Sequence, residues 1–132
     1  MKNISWGRVV IAGFLAEIIP IIFLIVTVII YSTAIDSGQS EQFYQKFAEE
    51  AGFYIGPIVG SIATFFCAWW ACRKLESSFL LNGTIVGVIV AILGTTILVA
   101  SAAPFHIVFV ISYTLKILAG LLGGMVVSNS RK

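Results

Sequence analysis

The chain has 132 residues, 59% of them hydrophobic and 11% charged, with a net charge of +2 and a mean hydropathy of +1.04. Soluble domains carry about 25% charged residues, so this composition excludes an ordinary water-facing globule. The small net charge gives no reason to expect a nucleic-acid partner. What fits is one compact domain over residues 1–132 whose solvent is the lipid bilayer.

The first apolar segment runs from about residue 6 to 32, and at least ~20 residues suffice for a helix to cross ~30 Å of hydrocarbon. Ser32-Thr33-Ala34 resembles a signal-peptide cleavage site. However, the apolar stretch exceeds a signal core of roughly 7–15 residues, and it carries Glu17 and Pro20. A retained helix is expected.

The connection "DSGQSEQFYQKFAEEAGF" follows. Ser40 suits a helix N-cap, Glu41 favours the positive helix end, and Phe43, Phe47 and Ala51 share a face. A short amphipathic helix over about 40–51, lying on the headgroups, is expected there; a lid over the bundle is the sharper alternative. The remaining spans are expected at about 52–72, 79–102 and 105–127. "RKLESS" reads as a tight turn between the second and third, and "SAAP" as a short one before the fourth. Pro104 suits a helix start there. The fold class is therefore all-α: an integral membrane four-transmembrane-helix bundle with a short amphipathic helix in the first external connection.

Cys67 and Cys72 lie five apart on the second helix, about 140° around its axis, so they neither bridge nor chelate one metal together. They read as packing residues. Lys2, Arg8, Arg73, Lys74, Arg131 and Lys132 flank the N-terminus, the second connection and the C-terminus. The first connection instead offers Asp36, Glu41, Glu49 and Glu50 against Lys46. The positive-inside rule then places both termini in the cytoplasm. The Asn-x-Ser/Thr motifs at Asn3 and Asn82 fall on the cytoplasmic side and are discounted as glycosylation sites.

Small residues recur every fourth position. The second helix has Gly52, Gly56, Gly60, Thr64, Ala68 and Cys72; the third has Gly83, Gly87, Ala91 and Thr95; the fourth has Ser112, Gly120, Gly124 and Ser128, with Lys116 on the intervening rung. Little hydrophobic force acts between helices in lipid, and close backbone approach supplies the attraction instead. Intrachain packing and self-association both use such ladders. Pro57 is placed to bend the second helix.

Two charges interrupt the apolar runs. Glu17 lies eleven residues from Trp6 and Lys116 eleven from Val127, so each sits about 16 Å above the cytoplasmic edge at ~1.5 Å per residue. Each alone would cost roughly 2.5–3.5 kcal/mol on insertion scales, so a mutual pair is expected. Pro20 leaves the Ala16 carbonyl without its helical donor one turn from Glu17. Stripes sharing a face with the pair carry Thr27 and Tyr31 on the first helix and His106 and Tyr113 on the fourth, a candidate polar pathway. A structural ion pair that fixes helix register is the plainer reading; a protonation or substrate site is the sharper one. His106 near the outer interface reads as a surface histidine, and Arg8, opposite Glu17, as snorkelling to headgroups.

No His/Cys/carboxylate set has metal spacing, and neither a phosphate loop nor a nucleophile elbow is present. No metal, no cofactor and no enzymatic activity are expected.

"ISWGRVVIAGFLAEI", "GTIVGVIVAIL" and "LKILAGLLGGMVVSNSRK" together resemble small bacterial four-helix membrane proteins of unassigned activity. That resemblance implies a bacterial inner-membrane location. "FLAEI" is similar to the first helix of the small multidrug resistance transporters, which carries an essential glutamate after Leu-Ala. The acidic first connection and Lys116 depart from that family, so drug export is not carried over. The leading expectation is a non-enzymatic structural or accessory membrane protein, packing with itself or a larger membrane partner. The alternative is a small homo-oligomeric transporter or channel for a cation or proton-coupled substrate using Glu17.

Overall fold

The computed structural model describes residues 4–131; Lys2, Asn3 and Lys132 lie outside them. The chain forms α1 (Trp6–Ile30), a π-type turn (Tyr31–Ile35), α2 (Glu41–Cys72), α3 (Phe79–Ala100) and α4 (Ile107–Ser130). All four helices are long and apolar enough to cross a membrane. Large apolar residues such as Ile11, Ile22, Ile62, Ile92 and Leu122 are exposed on their outer surfaces, which suits lipid and not water.

The separate amphipathic helix is corrected. Helix begins near the expected cap, where Ser40 Oγ accepts from the Phe43 N–H at 3.3 Å, but it runs unbroken into the second span. The result is one helix of 32 residues, about 48 Å long at ~1.5 Å per residue. The reason is local. Nothing between Glu41 and Gly56 breaks a helix, and its outer turns are held by the end of α1. There the Tyr31 ring stacks on Phe47 at 3.8 Å, and Tyr44 Oη donates to the Asp36 carbonyl at 2.7 Å. Gly38, at φ +88°, supplies the left-handed residue that lets so short a connection reverse.

Helix ends elsewhere have identifiable causes. The His106 Nδ1 accepts from the Val108 N–H at 3.2 Å and starts α4. The first turn of α1 is capped from another helix, with Asn82 Oδ1 accepting the Ser5 N–H at 3.0 Å. Arg131 donates to the carbonyls of Leu75, at 2.6 Å, and Arg73, which ties the end of α4 to the turn between α2 and α3.

Around the bundle the order is α1, α2, α4, α3, so α4 packs on both α2 and α3, and α1 on α2 and α3. α1 and α4 stand on one diagonal. Burial is concentrated in one half and reaches just past its middle. The buried residues of α1 fall between Val9 and Pro20, of α2 between Gly60 and Cys72, of α3 between Asn82 and Gly94, and of α4 between Ser112 and Val127. This is the half that holds Arg8, Arg73 and Arg131.

Glycine makes that half tight. A Cβ on Gly87 would lie 2.6 Å from Ile117 Cα, and Gly83, Gly120 and Gly124 each face backbone of the opposite helix at comparably short range. α3 and α4 therefore cross backbone to backbone, as small-residue interfaces do in lipid. Gly123 serves the α2–α4 contact, where a Cβ would lie 2.6 Å from the Phe65 carbonyl. Gly52 and Gly56 are the correction to the ladders. A Cβ at either would meet only one side-chain atom, at 3.9 Å. A four-residue step drifts about 40° around a helix, and at this level the helices have separated. These two glycines border open space.

Candidate functional site

Where packing stops, the ion pair sits. Lys116 Nζ donates to Glu17 Oε2 at 2.8 Å, and the two side chains are 4% and 12% exposed respectively. The bond joins the diagonal helices α1 and α4 across the bundle axis.

Two glycines make room for it. A Cβ on Gly60 would lie 2.5 Å from Lys116 Cε and 3.3 Å from Nζ, so the α2 backbone cradles the lysine stem. A Cβ on Gly94 would lie 3.2 Å from Glu17 Oε1 and 2.7 Å from Tyr113 Cε1. The ladder spacing singled out Ala91 and Thr95, and Gly94 lies between their rungs. Its signal is weak in sequence: a glycine inside an apolar helix at the depth of a buried acid. Tyr113, one turn before Lys116, holds its ring 5.8 Å from Nζ.

A cavity of about 270 Å³ reaches the pair, lined by Glu17, Lys116, Gly56, Gly94, Ser112 and Tyr113 among others. A smaller one of about 110 Å³ touches the pair from the α1–α2 side, between Pro20, Leu24 and Ile55. A third, of about 420 Å³, lies toward the outer end between Leu24, Glu49, Phe53 and Pro104. All three share Gly52, and the first two share Glu17, Gly56 and Lys116. The half away from the arginines, where α1 connects to α2, thus contains adjoining spaces, with the ion pair as their floor. Above the pair their walls are mainly apolar, with Ser101, Ser112, Tyr113 and, in the third, Glu49 as the polar exceptions.

Of the polar-pathway residues, only Tyr113 stands beside the pair. Thr27 Oγ1 donates to the Phe23 carbonyl of its own helix at 2.8 Å, Tyr31 stacks on Phe47, and His106 caps α4 while its ring lies 4.9 Å from Phe53. A helical wheel gave their angle correctly but not the divergence of the helices above the pair. Arg8 also has a partner beyond headgroups: its guanidinium lies 5.3 Å over the Trp70 ring. Cys72 Sγ donates to the Phe79 carbonyl at 3.3 Å and Cys67 is a free, partly buried thiol. Among the described residues no three His, Cys, Asp or Glu side chains gather as a metal site would need.

Chemically, the site is a neutral ion pair with unused capacity. Lys116 Nζ has three donors, and one goes to Glu17. Glu17 Oε1 packs against Gly94 beside the Tyr113 ring. Low local polarity makes any exchange of partner at this pair energetically large. No family model, no curated protein and no solved structure matches this chain, so its function is argued from this geometry.

Proposed function

We propose that the chain is a small multi-pass inner-membrane protein, with both termini cytoplasmic, that works as a homo-oligomeric transporter or channel for a cation or proton-coupled substrate through Glu17. The observation that carries this is the cavity whose floor is the Glu17–Lys116 pair. Ionisable residues inside a bilayer mark solute or proton pathways by default, and here the pair closes an opening. A solute cation or a proton taken up by Glu17 would release Lys116, so occupancy and the α1–α4 link are coupled. The packed half beneath bars through-passage in this conformation.

The test is flux in sealed proteoliposomes under a potassium diffusion potential, with a pH dye inside. Wild-type protein should carry protons or a monovalent cation well above empty vesicles, and folded Glu17→Gln should not. Equal flux in both, or none in either, would support a structural or accessory role instead. One observation favours that second reading: the two charges already satisfy each other at 2.8 Å. Orientation is tested separately. A cysteine at Ser37 should react with an impermeant thiol reagent from outside and one at Ser130 should not.

A further inference from the structure

We infer that the arginine-rich end of the bundle is a binding site for the phosphate headgroup of an anionic phospholipid, read by Arg8 and Arg73. The inference rests on the membrane-spanning reading but not on transport.

The chain's three arginines are used in two ways. Arg131 is consumed by protein acceptors, the carbonyls of Leu75 and Arg73. The guanidinium groups of Arg8 and Arg73 make no hydrogen bond or ion pair with any described residue. Each instead lies over an indole, Arg8 over Trp70 and Arg73 over Trp69, both at 5.3 Å. A guanidinium against an aromatic face keeps its N–H edge available, and that edge matches a phosphate with two parallel hydrogen bonds. Trp69 and Trp70 are adjacent on α2, so both guanidiniums lie against its last turn. Both indoles are also partly exposed, at 36% and 38%. Tryptophan settles at the headgroup level, where one part is apolar and another wet.

The surroundings have the same sign. Arg8, Arg73, Lys74 and Arg131 share this end with a single acid, Glu76. Lys74, Ser5 and Glu76 line a cleft of about 310 Å³ between the start of α1 and the α2–α3 turn. Mobile surface lysines alone would give a diffuse attraction. Here the two arginines are fixed by the rings beneath them, which favours a held headgroup over a loose counter-ion cloud. Each cation near an anionic surface strengthens binding about fivefold.

The experiment measures the unfolding midpoint of purified protein in neutral detergent micelles doped with phosphatidylglycerol, phosphatidylcholine or millimolar inorganic phosphate. Phosphatidylglycerol should raise the midpoint of wild-type protein by several degrees, and the other two additions should not. Arg8→Gln with Arg73→Gln should abolish the increment, whereas Arg131→Gln should lower the starting midpoint and keep the increment. If Arg8→Gln does not fold, Arg73→Gln alone should still weaken the lipid response about fivefold. Equal stabilisation by phosphatidylcholine, a full response to inorganic phosphate, or an undiminished increment in the arginine variants would each overturn the assignment. Extraction of the protein without detergent would instead contradict the membrane reading itself.

Discussion

The two halves of this bundle are built from similar apolar sequence and end up differently. In the half that holds Arg8, Arg73 and Arg131, glycine and alanine bring backbones into contact and most of the described buried residues are found there, with Pro20 and Ser112 just beyond the ion pair. In the other half, α1 and α2 hold each other through Tyr31 and Phe47, α4 meets α2 through His106 and Phe109 against Phe53, and cavities lie between these aromatic contacts and the ion pair. The same residue type therefore means two things. Gly120 is a contact, and Gly56 is a wall of a void. The Glu17–Lys116 pair marks the border, and among the described residues it is the one polar link joining the diagonal helices.

The largest expected effect comes from breaking that border. Glu17→Gln or Lys116→Met alone leaves an uncompensated buried charge and should cost about 3–5 kcal/mol. The double variant should recover much of it, with a coupling of roughly 1–3 kcal/mol measured by reversible unfolding in detergent. Additive losses would mean the two residues act independently. Next comes the packed half. Gly120→Ala drives a methyl into the backbone of α3 and should cost about 1–3 kcal/mol, as overpacking does. Gly60→Ala should be milder, because what must move is the flexible stem of Lys116. Its more telling consequence is a weaker Glu17–Lys116 coupling in the same cycle. Smallest is Gly56→Ala in the open half. With no neighbour in the way, it should be neutral or stabilising by up to about 1 kcal/mol from helix propensity. A large loss there would show that the outer helices close on each other.

Much of this was legible in the sequence, for physical reasons that can be named. Hydrocarbon thickness fixes a minimum helix length, so the four helices announced themselves within a few residues of their ends, except for the start of α2, which lies eleven residues before the expected one. Glu17 and Lys116 were legible as a pair because each stands alone in an apolar run at matching depth. What was not legible concerns how helices sit against each other. Sequence periodicity gives a face but not a neighbour, so the diagonal placement of α1 and α4 could not be read. Nor could the divergence that turns Gly52 and Gly56 from contacts into cavity lining and leaves Thr27, Tyr31 and His106 away from the pair. The Glu41–Ala51 segment carries a polar face whether it lies on the headgroups or extends a span; only its contacts with the end of α1 decide. Gly94 and Asn82 were missed because each acts on another helix, Gly94 by leaving space for Glu17 and Tyr113, and Asn82 by capping α1.

The central claim is that the outer half opens down to the ion pair while the inner half is sealed. Cysteine accessibility tests it most directly, in a background with Cys67→Ala and Cys72→Ser. Gly56→Cys, which lines the cavity beside the pair, should be modified by a small impermeant methanethiosulfonate added from the outer side. Ala68→Cys, fully buried in the packed half, should stay unmodified from either side. Gly56→Cys as silent as Ala68→Cys, or reactive only from the cytoplasmic side, would contradict the account.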